Sequence, residues 1–252
     1  MDEQELIAAA HAGNPEAQLL CALLAKWGYG CPVDAQTADG WFRSAAESGL
    51  PLAQYVLAEK LWESDRLADR ENALSYLERA ATQGFLVAQF RMGLVLEQGI
   101  GTQRDIEGAV EWYERASANG HAEAAERLGE LFENGVGVTA DLGLAIERYV
   151  VAAERGRPSA ALTLALLYHE GKRIPPNESE AFGWYVKAAA LGSSLACGHL
   201  ALVYEKGLLG RERNAKKAKE YAEKMIMNRE SERRARARAR PAFAASVARQ
   251  TD

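Results

Sequence analysis

Residues 122–157 read AEAAERLGELFENGVGVTADLGLAIERYVVAAERGR, and this stretch decides the fold. In its first half Ala124, Leu128, Leu131 and Phe132 stand at i, i+4, i+7 and i+8, one apolar stripe of a helix. Gly135-Val136-Gly137 interrupts that helix, because glycine accepts the positive φ that ends a helix and turns the chain. Asp141 then fits an N-cap, its carboxylate able to accept from the unpaired N–H groups of a new first turn. Ala145, Ile146, Tyr149, Ala152 and Ala153 share one face of this second helix. Arg155 lies near its C-terminus, where a cation suits the helix dipole. Gly156 closes the segment, and Pro158 opens the next helix at a position where its missing N–H costs nothing.

Working outward, the same hairpin recurs. An alanine returns at Ala17, Ala53, Ala88, Ala124, Ala160 and Ala196, with spacings of 36, 35, 36, 36 and 36. A glycine returns in the same register at Gly13, Gly49, Gly84, Gly120, Gly156 and Gly192. Before each glycine stands a pair of small residues, such as Ala45-Ala46, Ala116-Ser117 or Ala188-Ala189. Before those come bulky pairs: Trp41-Phe42, Tyr76-Leu77, Trp112-Tyr113, Arg148-Tyr149 and Trp184-Tyr185. Small residues let helix backbones approach, and the large ones fill the gaps. One hairpin cannot bury its own apolar face, so hairpins stack and share a core. The expectation is an all-α, right-handed superhelical solenoid with repeats at 15–50, 51–85, 86–121, 122–157, 158–193 and 194–229. Residues 1–14 form an N-terminal capping half-repeat, and 230–252 a basic C-terminal helix or tail.

Some repeats depart from the pattern. The second lacks the Gly-x-Gly turn and reads Glu63-Ser64-Asp65-Arg66-Leu67-Ala68-Asp69. The fifth turns through Gly171-Lys172-Arg173-Ile174-Pro175-Pro176-Asn177. The sixth has one extra loop residue, and Lys224-Met225-Ile226-Met227 replaces the small pair, as suits an end.

The chain resembles Sel1-like repeats, relatives of the tetratricopeptide repeat. The fourth repeat carries the resemblance with Ala124, Leu128-Gly129, Phe132, Gly135, Gly137-Val138, Asp141, Ala145, Tyr149, Ala152-Ala153 and Gly156. The third carries it with Ala88, Met92-Gly93, Gly99, Gly101, Asp105, Ala109, Trp112-Tyr113, Ala116 and Gly120. The resemblance covers about nine-tenths of the chain and rests on packing and turn residues, so it speaks to fold more than to function. It implies a non-enzymatic scaffold: an adaptor holding a partner protein or peptide, or alternatively an immunity or inhibitor protein masking one effector enzyme. The paired cysteines of the members linked to penicillin binding are missing here, and that activity is not carried over.

The resemblance also implies where a partner would sit. In the related fold, positions 2, 5, 9 and 12 of each first helix line the concave face. They map to Glu16, Leu19, Leu23 and Lys26; Leu52, Tyr55, Glu59 and Trp62; and Val87, Phe90, Leu94 and Glu97. In the later repeats they map to Glu123, Glu126, Glu130 and Glu133; Ser159, Leu162, Leu166 and His169; and Leu195, Gly198, Leu202 and Glu205. The first three sets are apolar where solvent is expected, which marks an interaction strip unless superhelical curvature buries it. Tyr55, Trp62, Phe90 and Leu94 are its expected anchors. The four glutamates make one acidic helix face, read either as solvated or as a dock for a basic segment of the partner.

Composition narrows the rest. Hydrophobic residues at 48% and charged residues at 26% exclude a disordered chain. No apolar run is long enough to span a bilayer as a helix, and the acidic start Met1-Asp2-Glu3-Gln4-Glu5 is unlike a secretory signal, so a cytoplasmic setting is expected. Cys21, Cys31 and Cys197 replace small apolar residues and read as buried thiols. His11, His121, His169 and His199 have no metal-ligand spacing, and no phosphate loop, dinucleotide fingerprint or nucleophile elbow occurs. No catalytic, cofactor or metal residue is therefore assigned. Residues 1–204 hold 16 Lys/Arg and 28 Asp/Glu, whereas 205–252 hold 14 and 7, so an acidic body carries a basic end. The run from Arg229 to Arg240 reads as a helix continuing from the last repeat, with Pro241 as its expected stop and its alternating arginines spread around the cylinder. Nucleic acid or acidic lipid is a partner this tail allows, but without interleaved aromatics the pattern favours a solubilising helix.

Overall fold

A computed structural model describes residues 2–28, 34–64 and 66–247, with side chains of 67, 236 and 238–247 left aside. Thirteen helices and no strand occur among the described residues. They are α1 (Glu3–His11), α2 (Pro15–Trp27), α3 (Ala35–Glu47), α4 (Pro51–Trp62), α5 (Leu67–Thr82), α6 (Leu86–Gln98), α7 (Ile106–Ala118), α8 (Ala122–Asn134), α9 (Leu142–Glu154), α10 (Pro158–Glu170), α11 (Glu178–Ala190), α12 (Ser194–Lys206) and α13 (Ala215–Val247). Cys31 and Asp65 lie outside the described residues.

The local chemistry explains the boundaries. Asp105, Asp141 and Asn177 cap α7, α9 and α11, and Asp141 accepts from the Leu144 N–H at 3.0 Å. Prolines 15, 51 and 158 open α2, α4 and α10. Gly135 (φ 64°) and Gly137 (φ 69°) take the left-handed turn between α8 and α9. Pro241 does not stop α13. A proline inside a helix removes one hydrogen bond and bends the path, and the alanines and arginines before it are strong helix formers.

The chain divides into two units, Met1–His121 and Ala122–Asp252. In the first, α1 packs on α2, and the pairs α2–α3, α4–α5 and α6–α7 are each joined to the next by α3–α4 and α5–α6. In the second, α8–α9, α10–α11 and α12–α13 are joined by α9–α10 and α11–α12. Each core is lined by alanine: Ala45, Ala46, Ala53, Ala80, Ala81 and Ala88 are fully buried in the first unit, and Ala152, Ala153, Ala160, Ala161, Ala165 and Ala188 in the second. Leu77, Tyr113, Leu128, Leu164 and Tyr185 fill the spaces between. A methyl group on Gly93 would stand 2.5 Å from the Tyr113 ring, and one on Gly129 2.6 Å from the Tyr149 ring. Glycine follows the bulky residue at those positions because a tyrosine from the second helix lies flat against the first.

Candidate functional site on the first helices

Exposure along the first helices follows position. Position 2 is exposed throughout, at Glu16, Leu52, Val87, Glu123, Ser159 and Leu195. Leu19, Tyr55 and Leu162 at position 5 are half-buried, as are Leu23, Glu59, Leu94, Glu130 and Leu166 at position 9. Phe90 and Glu126 are buried. At position 12, Trp62, Glu97, Glu133 and His169 are half-buried.

In the N-terminal unit this leaves an apolar strip over α2, α4 and α6, with Leu52 38% and Val87 41% exposed. Its aromatic members belong largely to the core. Tyr55 packs on Phe85 at 5.5 Å between ring centres, while Phe90 stacks on His121 at 4.2 Å and tilts against Tyr113 at 5.7 Å. Glu59 is held by Arg91, Nε to Oε1 at 3.0 Å.

Position 12 has a job that the sequence reading missed. The Tyr113 hydroxyl donates to Glu97 Oε2 at 2.6 Å, and the Tyr149 hydroxyl to Glu133 Oε2 at 2.6 Å. His169 Nδ1 lies 2.9 Å from the Tyr185 hydroxyl. Each pair joins the end of a first helix to its own second helix, sixteen residues on. The signal was the co-occurrence of a tyrosine in the second helix with a polar residue at position 12. Where Leu77 replaces the tyrosine, position 12 is Trp62, whose buried indole N–H has no hydrogen-bond partner. Where Phe42 replaces it, the Lys26 ammonium sits 5.7 Å from the ring centre. Burial raises the Tyr149 phenol, helped by its bond to Glu133, and raises that of Tyr185 to about 12.

The four glutamates of α8 are turned largely to their own unit. Buried Glu126 takes Arg157, Nε to Oε2 at 2.6 Å, and the same guanidinium lies 3.7 Å from Glu123. Arg127 pairs with Glu130. Arg173 donates to Glu133 Oε1 and to its backbone carbonyl, both at 2.6 Å. A cleft of about 250 Å³ beside this clamp is lined by Glu133, Thr163, Leu166 and Lys172 among others. Among the described residues no group of three His, Cys, Asp or Glu side chains could hold a metal ion. Cys21 and Cys197 are free, buried thiols raised by that burial. No helix of the described residues is long and apolar enough to cross a membrane.

The family model described as Sel1 repeat matches residues 15–50, 51–85, 86–121, 122–156, 158–193 and 194–228. The chain belongs to the Sel1 repeat family. Its fold is the all-α solenoid of that family. Among solved structures, it is similar to c5321, a protective antigen of uropathogenic Escherichia coli strains displaying an SLR fold, at 27% identity and a TM-score of 0.80; the match covers 90% of this chain and 49% of that one. It is also similar to a Sel1 repeat protein from Oxalobacter formigenes, at 33% identity and a TM-score of 0.73, covering 89% and 65%. The Sel1 repeat chain thus spans about half the length of the first and under two thirds of the second. An immunity protein from Pseudomonas aeruginosa, Pa5087, matches at 23% identity and a TM-score of 0.45, covering 74% and 72%, too distant to bear on function. No curated protein matches.

Proposed function

We propose that this Sel1 repeat chain is a non-enzymatic adaptor that holds a partner protein or peptide on the first helices of its N-terminal unit. The carrying observation is the strip formed by exposed Leu52 and Val87 with half-buried Leu19, Leu23, Tyr55 and Leu94. Apolar side chains from the first helices of three successive repeats, backed by packed aromatics, offer a preformed surface that loses little entropy on binding. Trp62 and Phe90 shape its floor, and Glu59 and Glu97 are its charged margin. In the C-terminal unit Glu123 is the one glutamate of α8 left exposed to meet a basic segment, and Leu162 and His169 extend the first-helix face there.

The test replaces the exposed residues and spares the buried ones. Leu52→Glu/Val87→Glu changes the strip without opening the core, whereas truncating Phe90 would unstack His121 and Tyr113. Tagged wild-type chain is expected to retain stoichiometric partners, identified by mass spectrometry, that the double variant loses at an unchanged melting temperature. Retention of every partner by a folded variant would remove the strip from the account. A single retained enzyme whose activity the chain suppresses would turn the adaptor into an inhibitor.

A further inference from the structure

α13 carries a surface that the repeat pattern does not explain. In the two preceding repeats a positive-φ glycine, Gly156 or Gly192, follows the second helix. Arg229 stands at that place in the sixth, and the helix continues to Val247. Up to Glu232 it docks on α12. Tyr221 stacks on Tyr204 at 5.9 Å, Asn228 Nδ2 donates to Cys197 Sγ at 3.5 Å, and Glu232 accepts from Ser194 N–H and Oγ at 3.0 and 2.8 Å.

Past Glu232 the sequence has no acidic residue before Asp252, while arginine occupies 233, 234, 236, 238 and 240. Glu232 is already taken by Ser194, and Glu230 stands 3.9 Å from Arg234. The arginines are not evenly spread, as their alternation had suggested. At 3.6 residues per turn, positions 229, 233, 236 and 240 fall within about 60° of one another, 234 and 238 within about 40°, and the two stripes lie about 150° apart. Alanines 235, 237 and 239 occupy positions between and beside them.

We propose that the C-terminal half of α13, with arginine positions along two sides of the helix, binds duplex DNA through its phosphates from the major groove. That groove admits an α-helix, and the small alanines allow close approach. Arginine on phosphate positions a helix without reading sequence, and this run holds no side chain suited to base edges except arginine itself. The acidic repeats keep the rest of the chain away from the phosphates, which confines the contact to this helix. An anionic membrane fits less well, because a helix lying on a bilayer buries a face of large apolar residues and this one offers mainly alanine and serine.

The experiment is fluorescence anisotropy of the full chain with a labelled mixed-sequence DNA duplex of about 20 base pairs. Binding is expected at about 50 mM salt and should weaken about a hundredfold by about 200 mM, as neutralising roughly four phosphates requires. Arg233→Gln/Arg234→Gln/Arg236→Gln/Arg238→Gln should weaken it at least about tenfold, with an unchanged melting temperature. The proposal is overturned by any of three results. These are no binding at low salt, equal binding by the variant, or a preference for phosphatidylserine vesicles over the duplex.

Discussion

The N-terminal and C-terminal units fasten their hairpins with different chemistry. In the first, a buried glutamine follows each repeat's leading alanine: Gln18, Gln54 and Gln89. The side-chain amides donate to the carbonyls of Ala10, Ala46 and Ala81 at 3.1, 3.2 and 3.3 Å. Their oxygens accept from Ser48, Gln83 and Asn119 at 3.1, 2.8 and 3.0 Å. One amide thus straps two consecutive second helices across the first helix between them. In the second unit Ala125, Ala161 and Cys197 fill that place, all fully buried. There ion pairs alone, Arg157 with Glu126 and Arg173 with Glu133, stand where the first unit adds its amide straps to the pair of Arg91 with Glu59. The same alanine-lined approach is therefore reached by a directional strap that salt hardly touches, or by apolar contact with a charged clasp that salt weakens.

Breaking a strap should have the largest effect. Gln54 is fully buried and its amide uses both ends. Gln54→Ala removes two hydrogen bonds and leaves a cavity, a loss of about 2–3 kcal/mol. Urea denaturation followed by circular dichroism should show this as a lower midpoint, equal at low and high salt. A shift below about 0.5 kcal/mol would mean that the strap is decoration and that alanine packing alone joins both units.

Much of this was legible in the sequence, and the reason is geometric. The alanine and glycine registers report helix approach and helix ends, which depend on residue size and backbone conformation alone. Asp141 and Pro158 mark their boundaries for equally local reasons. The site was harder to read, because exposure depends on what the neighbouring repeat supplies. Phe90 and Glu126 map to groove positions, yet His121 covers one and Arg157 neutralises the other. Gln54 recurs with Gln18 and Gln89 in the alanine register, yet a polar side chain there does not announce its burial, since its amide is satisfied by residues eight positions before and 29 after it. Pro241 misled because proline lowers helix propensity without fixing where a strongly helical run must stop.

The charged clasp should give a smaller effect with a different salt signature. Glu126→Ala strips Arg157 of its buried partner, but that guanidinium keeps about a third of its surface in water and remains near Glu123. The cost is discounted accordingly, to about 1–2 kcal/mol. Denaturation at low and at high salt should show the gap between wild type and variant narrowing as salt rises. If the gap were constant, burial and packing of the Glu126 stem would account for the loss, and the contrast between the two units would no longer be one of charge.

The smallest effect separates the units by pH. His199 stacks on Tyr185 at 4.9 Å, and His169 binds the same tyrosine's hydroxyl. Burial, with His169 adding to it, holds the His199 imidazole below the usual 6.5. Its folded form thus resists a proton that the unfolded chain accepts. Stability is unaffected well above 6.5, falls as the pH drops through 6.5 toward the lowered folded value, and then levels off. Tyr185 acts at the other end, because its phenol is raised to about 12 from an ordinary value near 10. Between those values the unfolded chain ionises first, so stability present below pH 10 is lost as the pH rises toward 12. His199→Phe keeps the stack without the titration. Melting curves of wild type and this variant at neutral pH and at about pH 5 should converge or cross on acidification, the wild type losing more. Parallel curves would show that His199 stays neutral or solvated in both states, and that the C-terminal unit has no more acid sensitivity than the amide-strapped one.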